Sequence, residues 1–257
     1  MKRLLVTFFS LAIALMASAW GQKGHRVIAN VAYMHLTKKA QKQVDYVLGK
    51  RGIIYLSTWP DEIKFDTIYQ YSDDWHYQNM ESNISDSVVT SLLSDYPAQG
   101  GRMYRKIDSL TQVLCSHKQD RDALVFIVHL TADRMCPVHM GHVGDRGGNR
   151  IQMKWFGQST NLHSVWDSKL IESKGFSYSE YSTYLEDTYG GQKCTIEKMS
   201  WEELTVKTYH LTDEIYKYQQ TWDGNAYHYA WHWTGSMEWQ LYAAGVRLAQ
   251  LLNQIYR

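Results

Sequence analysis

Two histidine–aspartate pairs, His129-x-x-x-Asp133 and His163-x-x-x-Asp167, have the spacing and chemistry of metal ligands. Residues four apart on a helix share a face, so each pair would project an imidazole and a carboxylate in one direction. The first pair sits in an apolar stretch, and the composition of Asp122 to Met135 predicts a central buried helix. A lone histidine there reads as a hydrogen-bonded core residue. A buried aspartate beside it changes the argument, because a buried carboxylate requires a cation or several donors. His139 follows Asp133 by six residues, just past Pro137, where the helix must end. Asp61 lies in Thr58-Trp59-Pro60-Asp61, and His76 in Asp74-Trp75-His76-Tyr77. Imidazoles and carboxylates repeated in this way, flanked by aromatic residues, are the donor types of a multi-zinc site.

The elements that must position these groups are helical. Thr37 is the N-cap and Gly49 the C′ residue of a helix ending at Leu48. Ser200-x-x-Glu203 is a capping box opening a helix that runs to about Gln219. Leu241, Ala244, Leu248, Leu251, Leu252 and Ile255 recur at helical spacing and predict a helix over Ser236 to Tyr256. One long connection, Cys136 to Ser159, interrupts the pattern. There is no internal repeat and no low-complexity tract. The expectation is an all-α fold, a single mainly helical domain over residues 20–257.

Residues 1–19 read as a signal peptide. Lys2 and Arg3 form its basic start, and Leu4 to Met16 is too short to span a membrane. Ala17-Ser18-Ala19 matches the small-residue cleavage pattern, which leaves Trp20 as the first residue. A secreted or periplasmic protein, with no stable membrane association after cleavage, is expected. The three cysteines, Cys115, Cys136 and Cys194, allow at most one internal disulfide and contain no Cys-x-x-Cys pair. This excludes a disulfide-stapled scaffold and disfavours finger-type thiolate zinc sites. The chain carries 27 Lys+Arg against 26 Asp+Glu, so it has no global attraction for a polyanion. Any phosphate it handles must be captured by local positive charge, and bound metal ions could provide it.

These motifs, taken in order, resemble the zinc-dependent single-strand nucleases, which share a fold with bacterial zinc phospholipases C. The resemblance covers nearly all of residues 20–257. It runs through Trp20-Gly-Gln-Lys-Gly-His25, Trp-Pro-Asp61, His76-Tyr-Gln-Asn79 and His129-Leu-Thr-Ala-Asp133 with Pro137-Val-His139. It continues through Asp145-Arg-Gly-Gly-Asn149, Asn-Leu-His163-Ser-Val-Trp-Asp167 and the tail Ala244 to Asn253. It implies three zinc ions. Asp61, His76, His129 and Asp133 would hold the first. His139, His163 and Asp167 would hold the second. His25, a bridging Asp133, and the free amine and carbonyl oxygen of Trp20 would hold the third. Signal cleavage would then create a ligand, because an α-amine with a pKa near about 7.7–8.0 can deprotonate and bind metal, whereas an amide cannot.

The resemblance also implies the reaction. Asp61 would orient the attacking water, and single-stranded DNA or RNA would be cut to 5′-phosphate products, with 3′-nucleotides as further substrates. Lys64 takes the place of a family arginine that contacts phosphate; by residue type alone it is a solvated surface lysine. Tyr77 and Asn79 stand where the family stacks and hydrogen-bonds a base; core packing is the other reading of Tyr77. Met135 and Cys136 replace a histidine and a glutamine before the proline, a change expected to affect packing rather than chemistry. His35, His117, His142, His210, His228 and His232 match no ligand position. The run from Tyr227 to Trp233 reads as a structural or surface feature, and Asn83-Ile-Ser85 is a glycosylation sequon by pattern only. A monomer is expected. A zinc phospholipase C and a non-catalytic zinc-binding protein are the rival readings. The short Trp20-to-His25 spacing, Asp rather than Glu at 167, and His76-Tyr-Gln-Asn79 favour the nuclease.

Overall fold

The structure, a computed structural model, describes residues 20–95 and 100–257. The expected signal peptide, residues 1–19, lies outside them. The described chain is mainly helical, as expected, and forms one domain around a shared core.

The first helices are α1 (Gln22–His35), α2 (Lys38–Leu48), the short α3 (Gly52–Tyr55) and α4 (Trp59–Ile63). Thr37 caps α2 by accepting from the Ala40 N–H, as its sequence predicts. After α5 (Asp86–Asp95) and α6 (Met103–Ser116) comes α7 (Arg121–Asp133). Asp120 caps α7, and every residue from Ala123 to Asp133 is buried, so the helix is central as its apolar composition requires. A 3₁₀ turn, Pro137–Met140, follows directly.

The Cys136–Ser159 connection is more ordered than its sequence suggests. It includes a hairpin of β1 (Gln152–Trp155) and β2 (Gln158–Asn161), paired antiparallel with Gln152 opposite Asn161. The next segment consists of α8 (Leu162–Ser164), a π-helical turn (Val165–Lys169) and α9 (Leu170–Glu172).

Four helices complete the domain: α10 (Tyr178–Tyr189), α11 (Lys193–Lys198), α12 (Trp201–Thr221) and α13 (Ala226–Ile255). The Ser200–Glu203 capping box forms as expected. Helix α13 starts ten residues earlier than its apolar spacing indicates. Asn225 caps it by accepting from the N–H groups of Tyr227 and His228, so the Tyr227–Trp233 run is its first two turns.

Helix α13 lies along α1, and the two approach closely at Gly245. A Cβ there would meet Val31 at 2.6 Å and the Ile28 carbonyl oxygen at 3.0 Å. A larger residue at 245 would push apart the helix that carries His25 and its main support. The end of α7 is held separately: Arg134 and Arg247 lie over the Trp201 ring at 4.2 and 4.5 Å. The three cysteines are free, with Cys136 buried and Cys115 and Cys194 exposed.

Candidate metal centre

Aromatic packing brings Asp61 and His76 to α7. Phe126 lies one turn before His129, and Trp59 and Trp75 meet its ring with centroids 6.0 and 5.0 Å away. This anchors α4 and the 3₁₀ segment Gln70–Trp75 on one stretch of α7. Their next polar side chains, Asp61 and His76, then face His129 and Asp133.

Four donor atoms converge there: His76 Nδ1, His129 Nε2, Asp133 Oδ2 and Asp61 Oδ1. His76 and His129 are 3.0 Å apart, and each lies 3.3 Å from Asp133 and 3.7 Å from Asp61. A tetrahedral zinc with ligands at about 2.0–2.1 Å has edges of about 3.3–3.4 Å. The observed separations scatter around that value. The other oxygen of Asp133 faces His25 Nε2 at 3.3 Å, so one carboxylate serves two sets of imidazoles. The His25 ring stacks on His129 with centroids 3.9 Å apart.

Trp20 is buried, and its indole N–H donates to the Ala132 carbonyl, next to Asp133. The Gly21 N–H donates to the Asp167 carbonyl. These bonds hold the start of the described chain between the two His-x-x-x-Asp pairs.

The second group differs from the sequence expectation in one respect. His139 Nε2 lies 3.8 Å from Asp167 Oδ1. The third member gathered with them is Cys136, all three donor atoms lying within 4.8 Å of one another. His163 stands beside this group, its ring centroid 5.2 Å from that of His139. His163 is in α8 and Asp167 lies within the π-helical turn, so they are not the simple one-face pair of an α-helix.

Backbone carbonyls fix three of the imidazoles. His129 Nδ1–H donates to Ser57 at 2.7 Å, His163 Nδ1–H to Gly147 at 2.8 Å, and His139 Nδ1–H to His76. Each bond commits Nδ1 as a donor and leaves Nε2 as the nitrogen that can bind a metal in place of a proton, the outer-shell arrangement that orients metal-binding histidines. Gly147 is conformationally required: its φ is +66°, and a Cβ would sit 2.4 Å from the Val138 carbonyl oxygen.

The electrostatics suit a bound cation. Burial, then the neighbouring His129 charge, pushes His25 down to about 4. Burial, then His139, pushes His163 down to about 3. Both are neutral lone-pair donors at neutral pH. Burial opposes charge on His129, yet Asp133 and Asp61 hold it up at about 9. Burial also opposes ionisation of Asp61, but His129, His76 and Lys64 keep it down at about 2. Burial, with Asp61 and Asp133 nearby, pushes Asp167 well above the carboxylate range. His25 Nε2, His76 Nε2, His139 Nε2, Asp133 Oδ1 and Asp167 Oδ1 are buried without a hydrogen-bond partner. Orphaned donors this concentrated are costly unless ions occupy the spaces between them. Imidazole and carboxylate donors, with one thiol, suit zinc.

Chelation is therefore expected to lower Tm. An ion present at a thousandfold excess over its Kd stabilises by about 4 kcal/mol. At about 2–4 °C per kcal/mol for a domain of this size, its loss lowers Tm by roughly 8–16 °C. Calorimetry before and after chelation measures this, and an unchanged Tm would argue against metal here.

The three expected substrate-binding residues lie around the centre. Lys64 is not a free surface lysine: its Nζ reaches Asp61 Oδ1 at 3.3 Å and its side chain is mostly covered. Tyr77 is half-buried, as is Asn79. The Asn79 N–H donates to the Gly100 carbonyl, and Gln78 bridges to Gly101, so this segment runs extended beside 100–101. The Asn79 side-chain oxygen is close to Gly147, whose carbonyl holds His163.

The S1/P1 nuclease family model matches residues 20–257. The chain is 27% identical to Endonuclease 2 of Arabidopsis thaliana over 98% of its length and 96% of that protein. It is 28% identical to Nuclease S1 of Aspergillus oryzae, over 72% of this chain and 67% of that protein. It is also 28% identical to Nuclease P1 of Penicillium citrinum, over 63% of each. A match that spans the whole described fold and every one of the converging donors leaves one conclusion: this chain belongs to the S1/P1 nuclease family.

Proposed function

We propose that this chain is a secreted or periplasmic three-zinc endonuclease that hydrolyses single-stranded DNA and RNA to 5′-phosphate products and also acts on 3′-nucleotides. The observation that carries this reading is the convergence of Asp61, His76, His129 and Asp133 at near-tetrahedral separations, with Asp133 also facing His25. The first zinc takes those four residues. The second takes His139, His163 and Asp167. The third takes His25, Asp133, and the amine and carbonyl oxygen of Trp20. Bound zinc supplies Lewis acidity toward phosphate, ionisation of water near neutral pH and charge stabilisation at the leaving oxygen.

The protein groups do the rest. Asp61, ionised and accepting only, orients the attacking water by taking a hydrogen bond from it. Lys64, held beside Asp61, places a cation at a non-bridging phosphate oxygen. Tyr77 stacks a base, and Asn79 bonds its edge. A paired base cannot enter without being unstacked, which is the origin of single-strand selectivity. The near-neutral chain needs no basic surface, because the centre concentrates the positive charge. Among the described residues no helix is long and apolar enough to cross a membrane. The enzyme acts as a monomer released by its signal peptide.

Zinc-loaded protein starting at Trp20 is expected to cleave single-stranded DNA and leave phosphatidylcholine intact. Hydrolysis of the lipid alone would replace this reading with a phospholipase C. No hydrolysis of either would leave a zinc-binding protein.

Tyr77→Ala is expected to lower kcat/KM on single strands about tenfold to a hundredfold, because one base stack is worth about 1–3 kcal/mol. Zinc content should be unchanged, and the loss should be smaller on an abasic strand. Equal losses on both strands would make Tyr77 a packing residue.

A further inference from the structure

The turn after α7 advances in steps of three. The Cys136 N–H donates to the Asp133 carbonyl at 2.9 Å, and the His139 N–H to the Cys136 carbonyl at 3.0 Å. Hydrogen bonds of this i,i+3 kind bring side chains three apart to one side of the backbone. Cys136 therefore sits between Asp133, which joins the first group of donors, and His139, which begins the second.

Its surroundings are those of a ligand. The Cys136 sulfur, a His139 ring nitrogen and an Asp167 carboxylate oxygen lie within 4.8 Å of one another. Cys136 is fully buried, and His139 and Asp167 are nearly so. His139 Nε2 and Asp167 Oδ1 are both without a hydrogen-bond partner, which is the second sign that this space receives an ion. The sequence expectation treated residue 136 as a packing position, and the structure places it among the donors.

We propose that Cys136 is a ligand of the second zinc, joining His139 and Asp167 from the buried side of that ion. A tetrahedral zinc with sulfur at about 2.3 Å and nitrogen or oxygen at about 2.0–2.1 Å has sulfur-to-nitrogen edges of about 3.6 Å. The His139–Asp167 separation of 3.8 Å exceeds the nitrogen-to-oxygen edge of about 3.3–3.4 Å, and the sulfur lies within 4.8 Å of both, so the three donors must draw together around the ion. Zinc takes the place of the thiol proton, which leaves to solvent. His163, oriented by its bond to the Gly147 carbonyl, would complete the protein ligands, and the ion would have to expand to five-coordination to take a phosphate oxygen. Thiolate donation makes the second ion a softer, weaker Lewis acid than an ion bound by two imidazoles and a carboxylate alone.

The assignment rests on the proposal that these residues hold zinc, and zinc-edge X-ray absorption separates the two. Protein starting at Trp20 and carrying Cys115→Ser and Cys194→Ser has Cys136 as its only thiol; both replaced residues are exposed. Its zinc spectrum is expected to contain a sulfur shell at about 2.3 Å beside the nitrogen and oxygen shell at about 2.0–2.1 Å. Adding Cys136→Ser should remove the sulfur shell and keep the other. With cobalt in place of zinc, the same variant should lose a near-ultraviolet thiolate-to-metal charge-transfer band. Only nitrogen and oxygen neighbours before that substitution, or a sulfur shell that survives it, overturns the assignment while leaving the proposed function standing. Protein that takes up no zinc overturns both.

Discussion

Asp133→Asn is expected to abolish nucleic acid hydrolysis and to cost the protein at least one metal ion. The reason is geometric. One carboxylate oxygen of Asp133 faces His76 and His129 at 3.3 Å each, and the other faces His25 at 3.3 Å. An amide has nearly the same shape, so the buried end of α7 keeps its packing. It offers one neutral acceptor where two anionic ones are needed. Removing a partner outside the ligand shell costs about 10–100-fold in metal affinity or activity. A bridging ligand lies inside the shell of two ions, so the loss in kcat/KM should exceed that range. Far-ultraviolet circular dichroism should remain that of the parent. Elemental analysis and single-strand cleavage check the expectation. Parental metal content and rate would show that Asp133 bridges nothing.

The second large effect concerns the chain start. Protein that retains residues before Trp20 is expected to fold but to be nearly inactive. Trp20 is buried with its indole on the Ala132 carbonyl, and Gly21 is tied to the Asp167 main-chain carbonyl, so the start of the described chain is fixed to the backbone of Asp167 and of the residue before Asp133. Cleavage after Ala19 would make the Trp20 nitrogen an amine of pKa about 7.7–8.0, able to donate a lone pair. Extension makes it an amide, which cannot. The proposed third zinc would then keep only His25, Asp133 and a carbonyl oxygen. Losing one element of a preorganised electrostatic site costs on the order of 10²–10³ in kcat. Mature and extended proteins, equally zinc-loaded, should differ by that factor in cleavage and by one ion in content. Equal rates and equal content would remove the Trp20 amine from the site and leave the other ligands in place.

The sequence carried the donors further than it carried their grouping. His129 and Asp133 were legible because a polar pair on an all-apolar helix must be buried, and a buried carboxylate demands a cation or several donors. The caps at Thr37 and Ser200 were legible because side-chain capping is local chemistry. The start of α13 was not, because Tyr227 to Trp233 is aromatic on every side and shows no apolar stripe. Its true signal was Asn225. The hairpin has no clear sequence signal, because Gln158–Asn161 is polar throughout and its turn needs a left-handed Phe156, an unusual residue for that conformation. The π-helical turn after Ser164 has no sequence signature in the His163–Asp167 spacing. The pairing of Lys64 with Asp61 and the placing of Cys136 beside His139 and Asp167 depend on how separate turns meet, and residue type alone does not encode that.

The proposed centre holds three ions among Trp20, His25, Asp61, His76, His129, Asp133, His139, His163 and Asp167. The most direct measurement is anomalous diffraction at the zinc edge from crystals of protein beginning at Trp20. Three peaks are expected: one among Asp61, His76, His129 and Asp133, one beside His139, His163 and Asp167, and one between His25 and Trp20. A single peak, or peaks away from Asp133, would contradict it.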